Sequence, residues 1–359
     1  MMRQNRVDAV LNNLETMGLS QVLITDPVSI FYLTERMIHP LERFYALYLS
    51  RSGNHKIFIN LLESVPEDLG VEKVRFTDTD PYLDLVMDAV DHREPLGVDK
   101  NMAARFLLPL MDRGAATGYV NASLALDRAR AVKDDKEREL MRRSSAINDA
   151  AVGALLRYVK EGVTETELAE QLKKLYKEMG ADGLSFSPLV AFGANAASGH
   201  HWPGETKLQS GDGVLIDAGC TYRGYCSDLT RTYFYQRVTP HQQEVYELVR
   251  KANEDAIAAV RPGIILRELD GIARSVITEG GYGPNFTHRL GHFIGLEDHD
   301  FGDVSSAASD AALPGNIFSV EPGIYLEGDM GVRIEDLILV TEDGYENLNH
   351  LPKELTVLP

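Results

Sequence analysis

The chain has 359 residues, 44% apolar and 25% charged; this excludes a largely disordered or fibrous protein and predicts about two domains. Acidic side chains outnumber basic ones by 54 to 36, for a formal charge of −18, which speaks against nucleic acid, an anionic membrane or a polyanionic substrate as partner. The opening MMRQNRVDAVLNNLETMG is polar, without an apolar signal core, and no run reaches the ~18 apolar residues of a membrane span, so a cytoplasmic location is expected.

Val7, Val10, Leu11, Leu14 and Met17 recur at helical spacing, and Gly18 ends the helix they predict. QVLITD (21–26) reads as a buried strand. ALYLS (46–50) and HKIFIN (55–60) flank Arg51-Ser52-Gly53-Asn54 and predict a hairpin. PYLDLVMDAV then reads as helix, PLGVD as strand, AARFLLPLMDRG as helix and TGYVN as strand. Residues 1–125 are therefore expected to form a small α/β domain. It shows no nucleotide fingerprint and no catalytic cluster, which assigns it a supporting or assembling role. Residues 126–359 form the second domain, entered through a charged helix (133–159) in which Leu140, Ile147, Ala151 and Leu155 share a face.

This second domain is internally duplicated. VKEGVTETELAEQLKKLYKEMG (159–180) and VRPGIILRELDGIARSVITEGG (260–281) match at Gly162 and Gly263, Glu167 and Glu268, Leu168 and Leu269, and Gly180 and Gly281. Each is an amphipathic helix. Thr164 and Glu167 predict a capping box for the first, with Leu168, Leu172, Leu175 and Met179 on its apolar face. Leu269, Ile272, Ala273 and Val276 line the second. Another helix precedes each copy; the later one starts at Thr239-Pro240 and buries Val245, Leu248, Val249 and Ala252. The repeat continues into strands: GDGVLIDAG (211–219) parallels GNIFSVEPG (315–323), pairing Asp217 with Glu321. Gly224 and Gly331 each stand four residues before an acid, pairing Asp228 with Glu335.

An acid inside VLIDAG, IFSVEPG or VRIEDLILV costs several kcal/mol unless its charge is compensated. Arg231 and Arg333 are near enough in sequence to neutralise two of these acids. Any one acid alone reads as half of a core ion pair. Four in repeat-related pairs read as ligands of a dinuclear centre that can bridge and activate water. Oxygen-rich ligation without thiolate favours Mn²⁺, with Co²⁺, Fe²⁺ or Zn²⁺ as alternatives. THRLGHFIGLEDHD (287–300) supplies nitrogen through His288, His292 and His299, and NAASGHHWPG adds His200 and His201. Cys220 and Cys226, the only cysteines, are expected as small buried thiols.

IDAG, SDLTRT, HRLGH, SVEPGIY and GVRIED together resemble the creatinase/methionine aminopeptidase, or pita-bread, family, and within it the Xaa-Pro dipeptidases (prolidases) and aminopeptidase P. The resemblance runs from about residue 130 to the end and more loosely over the first domain. It implies an α/β (α+β) fold: a small creatinase-like domain followed by a pseudo-twofold duplicated pita-bread domain. It implies five metal ligands: Asp217 on one ion, His292 and Glu321 on the other, Asp228 and Glu335 bridging. It further implies a substrate-pocket role for His200, stabilisation of the tetrahedral intermediate and proton transfer by His299, a pocket role for His288, and acid/base partnership of Glu321 with a bridging hydroxide. Thr230 and Arg333 would orient the ligand carboxylates.

Three positions depart from the family pattern. Gly199 replaces the usual Pro before the pocket His, Phe293 a Gly, and Asp300 a Glu. The first two are expected to reshape the substrate pocket, and Asp300 to weaken a supporting contact. The expected activity is hydrolysis of Xaa-Pro dipeptides. The alternatives are an aminopeptidase on longer Xaa-Pro peptides and a peptide-binding module without turnover. The resemblance also implies a homodimer, with the first domain lending a loop to the partner's site.

Overall fold

The structure, a computed structural model, describes residues 2–66 and 68–359, and divides into two compact units, Met1–Arg130 and Ala131–Pro359. The first unit is built on strands β1 (Gln21–Ile24), β2 (Ala46–Ser50), β3 (Lys56–Asn60), β4 (Glu72–Phe76), β5 (Leu96–Val98) and β6 (Tyr119–Asn121). They form one sheet in the order β4-β3-β2-β1-β5-β6. The expected hairpin is present: β2 and β3 pair antiparallel, Ala46 opposite Phe58. Helices α1 (Gln4–Thr16), α2 (Pro27–Thr34), α3 (Tyr82–Met87), α4 (Ala104–Asp112) and α5 (Ser123–Ala131) complete the unit.

Three of these elements escape the sequence patterns. PVSIFYLT (α2) is apolar almost throughout and so lacks a 3.6-residue period. Its start is nevertheless marked, because Asp26 accepts from Ser29 N at 2.8 Å and Pro27 stands in the first turn. EKVRF (β4) is an edge strand with only Phe76 buried, so it shows no alternation. The third is α5, a short helix that buries Ala125, Leu126 and Ala129.

In the second unit the duplication becomes architecture. Half one runs α6 (Asp135–Leu155), α7 (Glu165–Glu178), β7 (Gly183–Leu184), β8 (Leu189–Phe192), β9 (Gly213–Ala218), β10 (Cys220–Tyr222), β11 (Tyr225–Cys226) and β12 (Leu229–Tyr235). Half two runs α8 (Pro240–Ala258), α9 (Leu266–Glu279), β13 (Gly291–Phe293), β14 (Asp300–Val304), β15 (Ile317–Val320), β16 (Gly323–Leu326), β17 (Met330–Arg333) and β18 (Asp336–Val340), followed by β19 (Tyr345–Asn347) and β20 (Val357–Leu358). In each half a strand, a small hairpin and a second strand follow one another: β9, β10–β11, β12, then β15, β16–β17, β18. The first half centres on sheet β20-β12-β9-β8, the second on β14-β13-β15-β18-β19.

Each sheet is covered by its own helix pair. Ile147, Ala151 and Leu155 of α6 and Leu168, Leu172 and Leu175 of α7 pack on Val190, Val214 and Ile216. Val245, Val249 and Ala252 of α8 and Leu269, Ala273 and Ile277 of α9 pack on Phe318, Val320 and Ile338. Ile277, not Ile272, completes the α9 face. Capping boxes start three of the four helices, at Asp134, Thr164 and Thr239.

The seam between the halves is sewn by polar groups. Glu335 N donates to Thr230 O at 3.1 Å, and Thr232 Oγ1 to Arg333 O at 3.0 Å. Arg231 lies buried here, but it pairs with Asp336 at 2.7 Å rather than with a candidate ligand. Lys353 binds the other oxygen of Asp336, also at 2.7 Å. Of the two arginines singled out in the sequence, only Arg333 reaches a candidate ligand's carboxylate; Arg231 meets Glu335 through its backbone oxygen. Both cysteines are free and buried. No helix among the described residues is long and apolar enough to cross a membrane.

Candidate metal centre

Repeat-related strands place the acids. Asp217 is the penultimate residue of β9, and Glu321 follows β15 directly. Asp228 immediately precedes β12, and Glu335 immediately precedes β18. His292 lies on β13. Among the described residues, one ligand atom each of Asp228, His292 and Glu335 lie within 4.8 Å of one another, and all three residues are buried. Glu321 joins them, its Oε1 3.5 Å from His292 Nε2; Asp228 Oδ2 is 3.7 Å from the same nitrogen. Asp217 lines the same cavity.

Neighbouring groups orient these side chains. His292 Nδ1 lies 3.2 Å from Phe293 O. A carbonyl only accepts, so the proton sits on Nδ1 and the Nε2 lone pair faces the carboxylates. Thr230 donates its hydroxyl to Glu335 Oε2 at 2.7 Å and accepts from Arg333 Nε at 3.2 Å. Arg333 also pairs with Asp217 Oδ2. Ser319 donates to Glu321 Oε1 at 3.1 Å.

Three further oxygens, Asp217 Oδ1, Asp228 Oδ1 and Glu335 Oε1, are buried without a hydrogen-bond partner. That arrangement is costly for a carboxylate on its own. Burial, then the Glu335 charge, pushes Asp228 well above the usual carboxylate range. Burial, then Glu321, does the same to Glu335. Glu321 is pushed up to about 7 by burial, with Arg333 opposing. Burial depresses His292 to about 3, which keeps the ring neutral. Buried acids, unsatisfied oxygens and a neutral imidazole with its lone pair turned toward them fit divalent cations.

The cavity around these groups measures about 710 Å³, and His200, His288 and His299 line it. His299 stacks on His292 with ring centroids 3.8 Å apart. Arg289 Nη2 donates to His299 Nδ1 at 3.1 Å, leaving the His299 proton on Nε2. His288 is held at both nitrogens, by Arg289 O at 2.7 Å and by the Tyr325 hydroxyl at 2.8 Å. Tyr325 in turn accepts from Arg333 Nη1 at 2.7 Å. The phenol therefore ties a pocket histidine to the arginine of the acid cluster. SVEPGIY contained this signal, but a tyrosine at the end of a strand motif does not announce a polar role.

Asp298 was also missed. It lines the cavity, its Oδ1 is buried without a partner, and burial pushes it up to about 7. In LEDHD it is one acid among three just before and at the start of β14, with no apolar strand around it to make it conspicuous.

Of the unusual residues, Gly199 lines the cavity, as expected. Phe293 does not reshape the pocket directly: it belongs to the core, 5.6 Å from the Phe318 ring, in space left by Gly302. Asp300 is buried, 3.8 Å from Lys133 Nζ. Gly331 has a steric reason, since a Cβ there would lie 1.8 Å from Ala196 O. Gly331→Ala is expected to cost about 1–3 kcal/mol in urea unfolding, because backbone must move to admit the methyl.

Residues 139–342 match the model of metallopeptidase family M24, and residues 6–132 that of the creatinase/prolidase N-terminal domain. The chain belongs to metallopeptidase family M24. An uncharacterised peptidase of Staphylococcus aureus strain USA300 is 34% identical, covering 97% of this chain and 99% of that protein. The crystal structure of dipeptidase PepE from Mycobacterium ulcerans is 33% identical, with TM-score 0.92, over 99% of this chain and 98% of that one. The Xaa-Pro dipeptidase from Bacillus anthracis is 28% identical, with TM-score 0.91, over 99% of both chains. The M24 unit thus has the duplicated pita-bread fold, preceded by a creatinase-like α/β unit, and the protein is a metallopeptidase that uses divalent metal.

Proposed function

We propose that this M24 peptidase holds two divalent ions and hydrolyses the Xaa-Pro bond of dipeptides. Asp217 would hold one ion, His292 and Glu321 the other, and Asp228 and Glu335 both. The observation that carries this reading is the set of buried, unpartnered oxygens on Asp217, Asp228 and Glu335 beside His292 Nε2. Four carboxylates and one imidazole favour Mn²⁺, with Co²⁺, Fe²⁺ or Zn²⁺ as alternatives. What bound metal supplies here is neutralising charge, polarisation of a carbonyl and an acidified water.

The chain's own groups handle orientation and protons. Glu321, held near 7, can take a proton on its carboxylate and return it to the leaving nitrogen. That return matters before proline, whose nitrogen carries no hydrogen in the peptide bond. His299 carries its proton on Nε2 and can donate it to a developing oxyanion. His200 and His288 bound the substrate space, His288 held in place by the Tyr325 hydroxyl, which Arg333 holds in turn.

The test is a panel of Xaa-Pro dipeptides, Xaa-Ala dipeptides and Xaa-Pro-Yaa tripeptides, with metal analysis after Mn²⁺, Co²⁺ or Zn²⁺ loading. Free proline from dipeptides should appear at least about tenfold faster than any tripeptide product. Preferred tripeptide cleavage would transfer the assignment to an aminopeptidase. Peptide binding without turnover would make the chain a binding module. We further propose a homodimer assembled through residues 1–125, which a fully active monomer in sedimentation would refute.

A further inference from the structure

Glu165, the first residue of α7, is fully buried, yet it is not one of the acids around His292. Its carboxylate accepts four hydrogen bonds. Phe192 N and Asn195 Nδ2 reach Oε1, each at 2.9 Å. His201 Nε2 reaches Oε2 at 2.8 Å and Gly204 N reaches it at 2.9 Å. Four donors fill the acceptor capacity of one carboxylate, and the N-terminal turn of α7 favours its charge.

All four donors belong to one segment, 192–204. Its beginning, its later part and its end converge on a single side chain. The same segment supplies His200, His201 and Trp202 to the cavity wall, so the anisotropy of Trp202, rather than KM alone, separates positioning from direct contact in a His201 variant. Trp202 is the chain's only tryptophan and is 75% exposed. Near the start of the segment, Ala196 O is seated against Gly331 of β17. One stretch is therefore fixed to the sheet, and the stretch bearing the pocket residues is tied to the start of α7, its side chains and Gly204 N by Glu165 and its end also by Thr166, whose N and Oγ1 donate to Gly204 O at 3.1 and 3.0 Å. Phe186, Leu189 and Pro203 line the same cavity.

We propose that Glu165, acting through His201, is a positioning residue that sets His200 and Trp202 in the cavity wall and thereby fixes how tightly the peptide is held. The inference rests on the dipeptidase reading for its choice of substrate. Glu165→Gln keeps the size but points an amide donor at donors. His201→Phe keeps a ring and removes one bond. In the metal-loaded full chain, Glu165→Gln should raise KM for a Xaa-Pro dipeptide about tenfold, and His201→Phe about threefold, with kcat within about threefold of wild type. Glu165→Asp, which retains the charge, should recover part of the loss. Without substrate, the fluorescence anisotropy of Trp202 should fall in both Glu165→Gln and His201→Phe while metal content stays constant.

Unchanged KM and anisotropy in either folded variant would overturn the proposal. So would a parallel loss of metal and kcat, which would mark Glu165 as a general fold residue. If Glu165→Gln does not fold, His201→Phe decides. A wild-type protein that leaves Xaa-Pro dipeptides uncut would refute the dipeptidase reading, while the anisotropy comparison still decides the clamp.

Discussion

Asp228→Ala should lower peptide hydrolysis by at least about 10³-fold, a loss of about 4 kcal/mol or more in transition-state stabilisation, and should strip metal from the protein. Asp228 is buried with one oxygen unpartnered, and its other oxygen faces His292. Removing it takes a ligand from both proposed ions and leaves Glu335 without the neighbour that would share them. The fold should survive, because the lost side chain is an unneutralised buried acid rather than part of an apolar cluster. Circular dichroism, metal analysis and dipeptide turnover on the same preparation read all three expectations. Wild-type turnover with two metals bound would place the reaction elsewhere in the molecule.

Metal binding should strengthen as pH rises from about 5 to 8 and should release protons. Burial raises Asp228, Glu335 and Glu321, Glu321 to about 7, so as pH falls they take up protons that an incoming cation must displace. The sign follows for the metal-free protein. A carboxyl whose folded pKa lies above its unfolded value of 4.5 stabilises the fold below that value and loses the contribution as pH rises through about 7. For Glu321 alone this amounts to roughly 3 kcal/mol. His292 and His288, depressed to about 3 and about 4, act oppositely on the metal-free fold, losing stability as pH falls below their ordinary 6.5. Only the carboxylates make metal affinity depend on pH between about 5 and 8, since the His292 ring, depressed to about 3, is already neutral there. Titration calorimetry in buffers of different ionisation enthalpy, with melting curves with and without Mn²⁺, measures this. A pH-independent affinity would rule out these acids as ligands.

The clustering of these acids was legible because each candidate ligand stands in or beside an apolar strand, where its cost demands an explanation, and because the repeat offers the same demand twice. The capped helices were legible for a similar reason: Thr164 with Glu167 and Thr239 with Pro240 are local signals that need no distant partner. What was not legible depends on side chains meeting across long separations. Arg231 stands three residues from Asp228 yet serves Asp336. Tyr325 reaches His288 across 37 residues. Asp298 looks like an ordinary loop acid until the cavity closes around it. Helix α2 was hidden because an element apolar on all sides has no period to read.

The proposed shared ligands, Asp228 and Glu335, come from opposite halves of the duplicated unit, at strands joined by Thr230, Thr232 and Arg333. Neither half owns a working set of donors. On the proposed ligand assignment, partial opening along that join would take donors from both ions, so loss of metal and loss of turnover should coincide. On that assignment, retained metal would report whether the two halves are joined.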